Sequence, residues 1–268
     1  TYTTWCKEFK DIRPGVLTEN VFALFRIYPK LDTKGTSTAV RLTVQAAFVE
    51  GESAEMTRRQ FDGLLKGVCP DYKDLPHRFR DVPWLNATQA LGRGAWDWRG
   101  EYKSAYHRDL DESHIKGLIE RFQDHGTELG AHGALVALDT YGGKINQISR
   151  SATAEPHRDS VLKLQYQSYW SKSDDDSAHV TWLKDTYAKV YEKTHGFPEA
   201  TNHDLTKATD GCFVNYLDAE LPRERSGEKP SVWDLYYGAD TFKRLQAVKK
   251  LVDPHDLFHH NQSIPLPK

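Results

Sequence analysis

Across 268 residues the chain is 38% hydrophobic and 28% charged, the balance of a soluble globular protein with room for one large domain or two small ones. Its 36 basic and 38 acidic residues leave a formal charge of -2, which offers no electrostatic basis for binding nucleic acid or an anionic membrane. No apolar run is long enough to span a bilayer, and the three cysteines, Cys6, Cys69 and Cys212, are too few and too far apart for a disulfide framework or a zinc ribbon.

The chain opens at Thr1 without an initiator methionine, as at a processing boundary. Two alternating runs come first, Asn20 to Tyr28 and Thr38 to Gly51, joined by the polar stretch Asp32 to Ser37. In the second, Val40, Leu42, Val44, Ala46 and Phe48 share one side at period two, which predicts a hairpin. A helix bearing Phe61, Leu64, Leu65 and Val68 follows, with Ser53 available as its N-cap.

From Cys69 to Tyr102 the sequence is irregular and rich in tryptophan. Trp84, Trp96 and Trp98 suit the rim of a pocket. A second helix carries Ile115, Leu118, Ile119 and Phe122 and meets Gly126 as a C-terminal stop. Two strand candidates span Gly133 to Ile145 and Ser160 to Trp170, and a third helix runs from Ala178 to Tyr191 behind the capping acids Asp174 to Asp176. A last helix bears Phe242, Leu245, Val248 and Leu251, with Asp240 or Thr241 as its cap, and ends at Asp253 and Pro254. This order, ββα, a linker, then αββα, predicts an α+β fold: an antiparallel sheet covered on one face by helices.

Several motifs are absent. The sequence holds no glycine-rich phosphate loop, no H-E-x-x-H, no nucleophile-elbow serine and no C-x-x-C, and the adjacent His259 and His260 cannot share a helix face, so no metal is expected. The informative strand is "LKLQYQSYW". Its parity sets Leu162, Leu164, Tyr166, Ser168 and Trp170 on one face and Lys163, Gln165, Gln167 and Tyr169 on the other, a polar side either solvated or aimed at a polar ligand. Leu135, Ala137, Asp139 and Tyr141 fall in phase on the preceding strand. Asp139 lies deep in an apolar run, and a buried carboxylate needs a partner; the hydroxyl of Tyr216, in the extended-looking run "GCFVNYLDAEL", would serve.

In this order, "RGEYKSAY" (99–106), "DTYGGKIN" (139–146), "LKLQYQSYW" (162–170), "GCFVNYLD" (211–218), "YYG" (236–238) and "RLQAVKKLVDPHDLFHHNQSIP" (244–265) resemble the C-terminal half of FAD-linked oxidases of the vanillyl-alcohol-oxidase superfamily. They are most similar to its hexose oxidase and oligosaccharide oxidase branch. The resemblance covers about residues 100–265. It implies a substrate-binding domain over 1–210, with its first strand possibly missing, and a berberine-bridge-like segment over 211–268 that packs on a separate flavin-binding domain.

The family's N-terminal FAD-binding portion is not matched. The resemblance therefore implies either a processed chain held in a heterodimer with an N-terminal flavin-binding chain or an excised half whose flavin-binding domain belongs to the same longer protein, and no oxidation by this half alone. In the family a tyrosine at the "NY" position takes the proton from the anomeric hydroxyl of a sugar while hydride passes to FAD, and O2 is reduced to hydrogen peroxide. That implies catalytic roles for Tyr216 and Asp139, substrate contacts for Gln165, Gln167, Tyr141 and Lys103, and cofactor contacts for Asn215 and Tyr216. An ionised Asp139 would raise the phenol's pKa, so its help must come as a hydrogen-bond acceptor. Two other readings stay open: an oxidase of a non-sugar alcohol or a glycosylated natural product, and a flavin-free sugar-binding or scaffold domain.

Overall fold

The computed structural model describes residues 21–32, 35–46, 66, 82–91, 98–129, 133–224, 226–227 and 229–268. One antiparallel sheet organises them. Strands β1 (Val21–Asp32) and β2 (Gly35–Ala46) form the expected hairpin, each longer at the turn end than the sequence suggested. Helix α1 (Trp84–Leu91) precedes strand β3 (Arg99–His107), helix α2 (Glu112–Leu129), strand β4 (Leu135–Thr140), strand β5 (Leu162–Trp170) and helix α3 (Asp176–Val190). The strands lie in the order β2-β1-β4-β5-β3, with every neighbouring pair antiparallel.

The α+β expectation holds. Helices α2 and α3 cover one face, where Phe25, Ile27, Val136, Leu138, Leu162, Leu164 and Tyr166 join Leu118, Phe122, Trp182 and Leu183 in the main core. Along β5 the burial alternates as the period-two parity requires, odd positions half-buried and even ones buried.

Several boundaries differ. The stretch read as irregular contains α1 and the start of β3. Helix α2 runs through Gly126 to Leu129: an interior glycine costs only about 1 kcal/mol against alanine, too little to end a long amphipathic helix. The strand expected to reach Ile145 stops at Thr140, and a 3-10 turn occupies Gly143–Gln147. Helix α3 begins at Asp176, whose carboxylate is taken by Arg99 and the Trp170 indole rather than by the helix end. The helix expected from Phe61 to Val68 lies outside the described residues apart from Lys66, as do its cap Ser53, Trp96, Cys6 and Cys69.

A smaller core gathers Cys212, Leu221, Val232, Trp233, Leu235 and Tyr236, and Phe197 packs against both clusters. It is built by helix α4 (Val232–Tyr236), which opens on a Ser231/Asp234 capping box, and helix α5 (Gly238–Val252). Helix α5 starts before Asp240 and Thr241, and its N-cap Tyr237 makes no side-chain capping bond. Burial pushes the Cys212 thiol up to about 12, so it behaves as a small apolar group.

Candidate active site

The site forms where the 211–218 segment leaves the edge of the sheet. Backbone bonds from Tyr106 to Gly211 and from Asp210 to Tyr106 (both 2.9 Å) first pair the segment with edge strand β3. Glycine is required at 211: its φ is +76°, and a Cβ there would stand 2.1 Å from the Leu235 carbonyl oxygen. Beyond it the chain is not extended, as the sequence suggested. It turns, with Tyr216 N–H donating to the Phe213 carbonyl at 3.0 Å, and this lays Tyr216 over the face opposite helices α2 and α3, which is open among the described residues.

Cross-strand pairing fixes what that face presents. Asp139 pairs with Lys163, Ala137 with Gln165 and Leu135 with Gln167, while β3 sets Tyr102 opposite Gln167 and Ser104 opposite Gln165. The Tyr216 hydroxyl donates to the Gln165 side-chain carbonyl, and the Gln165 amide donates to the Asp139 carboxylate. Gln167 Nε2 donates both to Gln165 Oε1 at 2.8 Å and to the Tyr216 hydroxyl at 3.2 Å, and Tyr169 donates to Gln167 Oε1 at 3.2 Å. The Tyr216 ring packs on Tyr102 (centroids 5.2 Å) and Phe213 (5.5 Å).

Asp139 therefore has a different partner from the one expected. Its carboxylate meets Gln165 and Lys163, whose Nζ is 3.3 Å away, and it reaches Tyr216 only through the Gln165 amide. Burial raises its pKa, while Lys163 and the Gln165 hydrogen bond pull the other way. Burial likewise raises the Tyr216 phenol. The Gln167 hydrogen bond opposes that shift, and the Asp139 charge adds to it.

Tyr216, Gln165, Gln167 and Asp139 are thus brought together. Lys103 is not: it points into the helix-covered face, 3% exposed, and pairs with Asp218 and Glu220. The parity of β3 explains this, because Lys103 stands opposite Tyr166 while Tyr102 stands opposite Gln167. Tyr141 packs edge-on against Tyr106 at 4.9 Å, and burial raises its phenol to about 12. Asn215 is exposed at the turn and makes no hydrogen bond within the cluster. Trp98 is 53% exposed and Trp84 begins α1.

Three residues of this face were not assigned roles from the sequence. Lys163 and Tyr169 were in phase with Gln165, so the signal was present, and Lys163 also lies 4.5 Å over the Phe213 ring. Tyr102 was hidden in the segment read as irregular. Among the described residues no His, Cys, Asp and Glu group is placed to hold a metal, and no helix is long and apolar enough to cross a membrane.

Residues 212–265 match the family described as berberine and berberine-like. Hexose oxidase of Chondrus crispus is 34% identical over 191 residues, covering 69% of this chain and 35% of that protein. Aclacinomycin-N/aclacinomycin-A oxidase of Streptomyces galilaeus is 32% identical over 187 residues, covering 69% and 33%. The crystal structure of a glycopeptide hexose oxidase complexed with teicoplanin superposes with a TM-score of 0.77 at 26% identity, over 98% of this chain and 50% of that one. The chain thus spans about a third of the length of these curated relatives and half of the solved chain.

The helix-backed antiparallel sheet is the fold of the FAD-linked oxidase domains on which the chain superposes. Residues 212–265 form a berberine-like domain, and the chain is similar to part of hexose oxidase and of aclacinomycin oxidase.

Proposed function

We propose that this chain is the substrate-binding half of an FAD-dependent carbohydrate oxidase that converts the C1 hydroxyl of a reducing sugar to a lactone, with O2 reduced to H2O2. In this reading residues 1–210 hold the substrate, and 211–268 bring Tyr216 to it and pack on a flavin-binding half supplied as a partner chain or domain. The observation that carries it is the Tyr216 hydroxyl seated on Gln165 and Gln167 at the open face, with Asp139 behind.

The residues fit the border of a flavin site. Leu217, 54% exposed, and the exposed Asn215 flank Tyr216, leaving an apolar and a hydrogen-bonding side chain at the turn for a planar ring system held mainly by other residues. FAD, when bound, supplies the hydride acceptor. This chain's residues manage the proton. The C1 hydroxyl proton passes to the Tyr216 oxygen in its phenolate form as the C1–H bond gives up hydride, leaving the carbonyl of the lactone.

Gln167 is the contact that favours the phenolate, because it donates to the phenol oxygen. Gln165 orients the phenol and holds the Asp139 charge one amide away from it. The two amides and Lys163 offer partners to sugar hydroxyls, and Tyr102, Tyr169 and Phe213 offer rings to its apolar C–H surfaces.

A second reading keeps the same chemistry but makes the sugar part of a glycosylated natural product. The likeness to aclacinomycin oxidase, nearly equal to that to hexose oxidase, favours it. Both are tested by assembling the chain with its flavin-binding half and following anaerobic flavin reduction by D-glucose, D-galactose, lactose, maltose and cellobiose, and by a glycosylated anthracycline. Free sugars reduce the flavin under the first reading, and only the glycoside does under the second. Tyr216→Phe removes the reduction in either case while flavin stays bound; an unchanged rate in that variant would sink the assignment.

A further inference from the structure

We propose that Lys103 is a positioning residue for Tyr216: its buried ion pair with Asp218 fixes the turn that holds the phenol on the opposite side of the sheet, and so sets the rate of turnover rather than the strength of substrate binding. This rests on the reading of Tyr216 as proton acceptor.

The geometry is that of a strap over an edge. Strand β3 is the last of its sheet, and the chain crosses its free side between Phe213, whose N–H donates to Ser104 Oγ at 2.9 Å, and Asp218. Tyr216 lies on the open face. Two residues later Asp218 is on the helix-covered face, where Lys103 Nζ lies 3.0 and 2.9 Å from its two carboxylate oxygens and 2.7 Å from Glu220. Lys103 and Asp218 are 3% and 2% exposed.

The clamp takes in the backbone of Tyr216 itself. The Asp218 N–H donates to the Tyr236 hydroxyl at 3.1 Å, and that hydroxyl donates to the Tyr216 carbonyl at 3.3 Å. Gln262 caps the Asp218 carbonyl from the C-terminal tail. Burial alone would lower the Lys103 pKa, but Asp218 and Glu220 outweigh it and raise the value, so the ammonium persists at neutral pH.

A buried ion pair contributes little net stability against a neutral pair of similar shape, and its best-attested use is to hold one register against others. The register held here is that of a two-residue crossing whose far end is the phenol. Lys103 contacts neither Tyr216 nor the glutamines, so its influence on the proton transfer travels through the segment carrying its partners Asp218 and Glu220. A displacement of about 1 Å at a reacting group can lower a rate about a hundredfold.

The test uses the chain assembled with its flavin-binding half and the fastest sugar of the panel above, following anaerobic flavin reduction against sugar concentration. Lys103→Met is expected to keep bound flavin and to bind sugar within about threefold of wild type, while the limiting reduction rate falls about thirtyfold to a hundredfold. Lys103→Arg, which restores a cation to Asp218, recovers most of the rate. Should Lys103→Met fail to fold for want of a partner to Asp218, the double variant Lys103→Met/Asp218→Asn carries no lone buried charge and is expected to fold with the same rate loss.

A wild-type reduction rate in the folded Met or double variant overturns the clamp. So does a loss confined to sugar affinity, or a rate that Arg does not rescue. Tyr216→Phe in the same assay separates the two levels: if it too reduces flavin normally, the reading of Tyr216 has failed, whereas its collapse beside an unaffected Lys103 variant condemns the clamp alone.

Discussion

The Tyr216 hydroxyl and the Gln165 side-chain carbonyl are hydrogen-bonded across the join between the 213–216 turn and strand β5, and the same Gln165 side chain donates to Asp139. An amide thus separates a phenol from a carboxylate. Direct contact would place the negative charge nearest the oxygen that must lose its proton. The interposed amide keeps the orientation and weakens that penalty.

Replacing the spacer should be costly for the rate. Gln165→Ala leaves the phenol without its acceptor and Asp139 with Lys163 but without its amide donor, and a charge-assisted hydrogen bond of this kind is worth about 1.5–3 kcal/mol. Flavin reduction in the assembled enzyme is expected to fall by about tenfold to a hundredfold, which corresponds to that range. Gln165→Glu sets a second carboxylate beside Asp139 and next to the phenol; one of the two should titrate well above the usual carboxylate range, and the added charge disfavours the phenolate, giving a weaker rate profile shifted to higher pH.

Two other substitutions should move the limb on which the reduction rate rises with pH in opposite directions. Asp139 raises the Tyr216 phenol and Gln167 lowers it. Asp139→Asn removes a negative charge that disfavours the phenolate, so the limb moves to lower pH. Gln167→Leu removes the donor that favours the phenolate, so the limb moves to higher pH. Spectroscopic titration of the tyrosines alongside the rate profile checks both signs, and movement in the same direction would contradict the arrangement.

Gly211→Ala should destabilise the entry to the berberine-like domain. The residue holds φ +76°, and an added Cβ would meet the Leu235 carbonyl oxygen at 2.1 Å, so backbone must shift as well as strain. A non-glycine residue in such a region costs about 1–3 kcal/mol before any clash. Thermal unfolding of the assembled protein should show a Tm lowered by several degrees, with helix α4 the first element to lose amide protection.

Acid stability should depend on His107. Its ring is buried, with Nε2 2.8 Å from the Tyr191 hydroxyl and Nδ1 3.1 Å from the Asp109 carbonyl, and Tyr166 donates to Tyr191 behind it. Burial, helped by His114, lowers its pKa to about 3. The folded ring is neutral while the unfolded one takes a proton below its ordinary value of 6.5, so stability is full above that value and is lost as pH falls from there towards about 3. His107→Phe should flatten that part of the stability curve in denaturant titrations, at about 1.4 kcal/mol for each pKa unit removed.

Much of this architecture was legible in local pattern. The hairpin, the polarity of the two faces of β5 and the phase of Asp139 all follow from period-two alternation, which needs no knowledge of distant chain. Strand β3 was less legible. Its burial pattern is exposed at one end and buried over its last five residues, so no alternation announces it. The short helix α4 was passed over because five residues carry too little periodicity to separate from a loop, although its Ser231/Asp234 capping box was there to read.

By itself, then, the sequence determined the fold class, the strand faces and the segments that resemble berberine-like oxidases, since each rests on side-chain order along a short stretch. Only the tertiary structure decided which polar residues meet. The order β1-β4-β5-β3 sets Asp139, Gln165 and Gln167 side by side, and the crossing of β3 sends Tyr216 to one face and Asp218 to the other. Lys103 illustrates the limit. The resemblance implied a contact with substrate, but one position of strand parity turned it inward, where Asp218 and Glu220 pair with its ammonium.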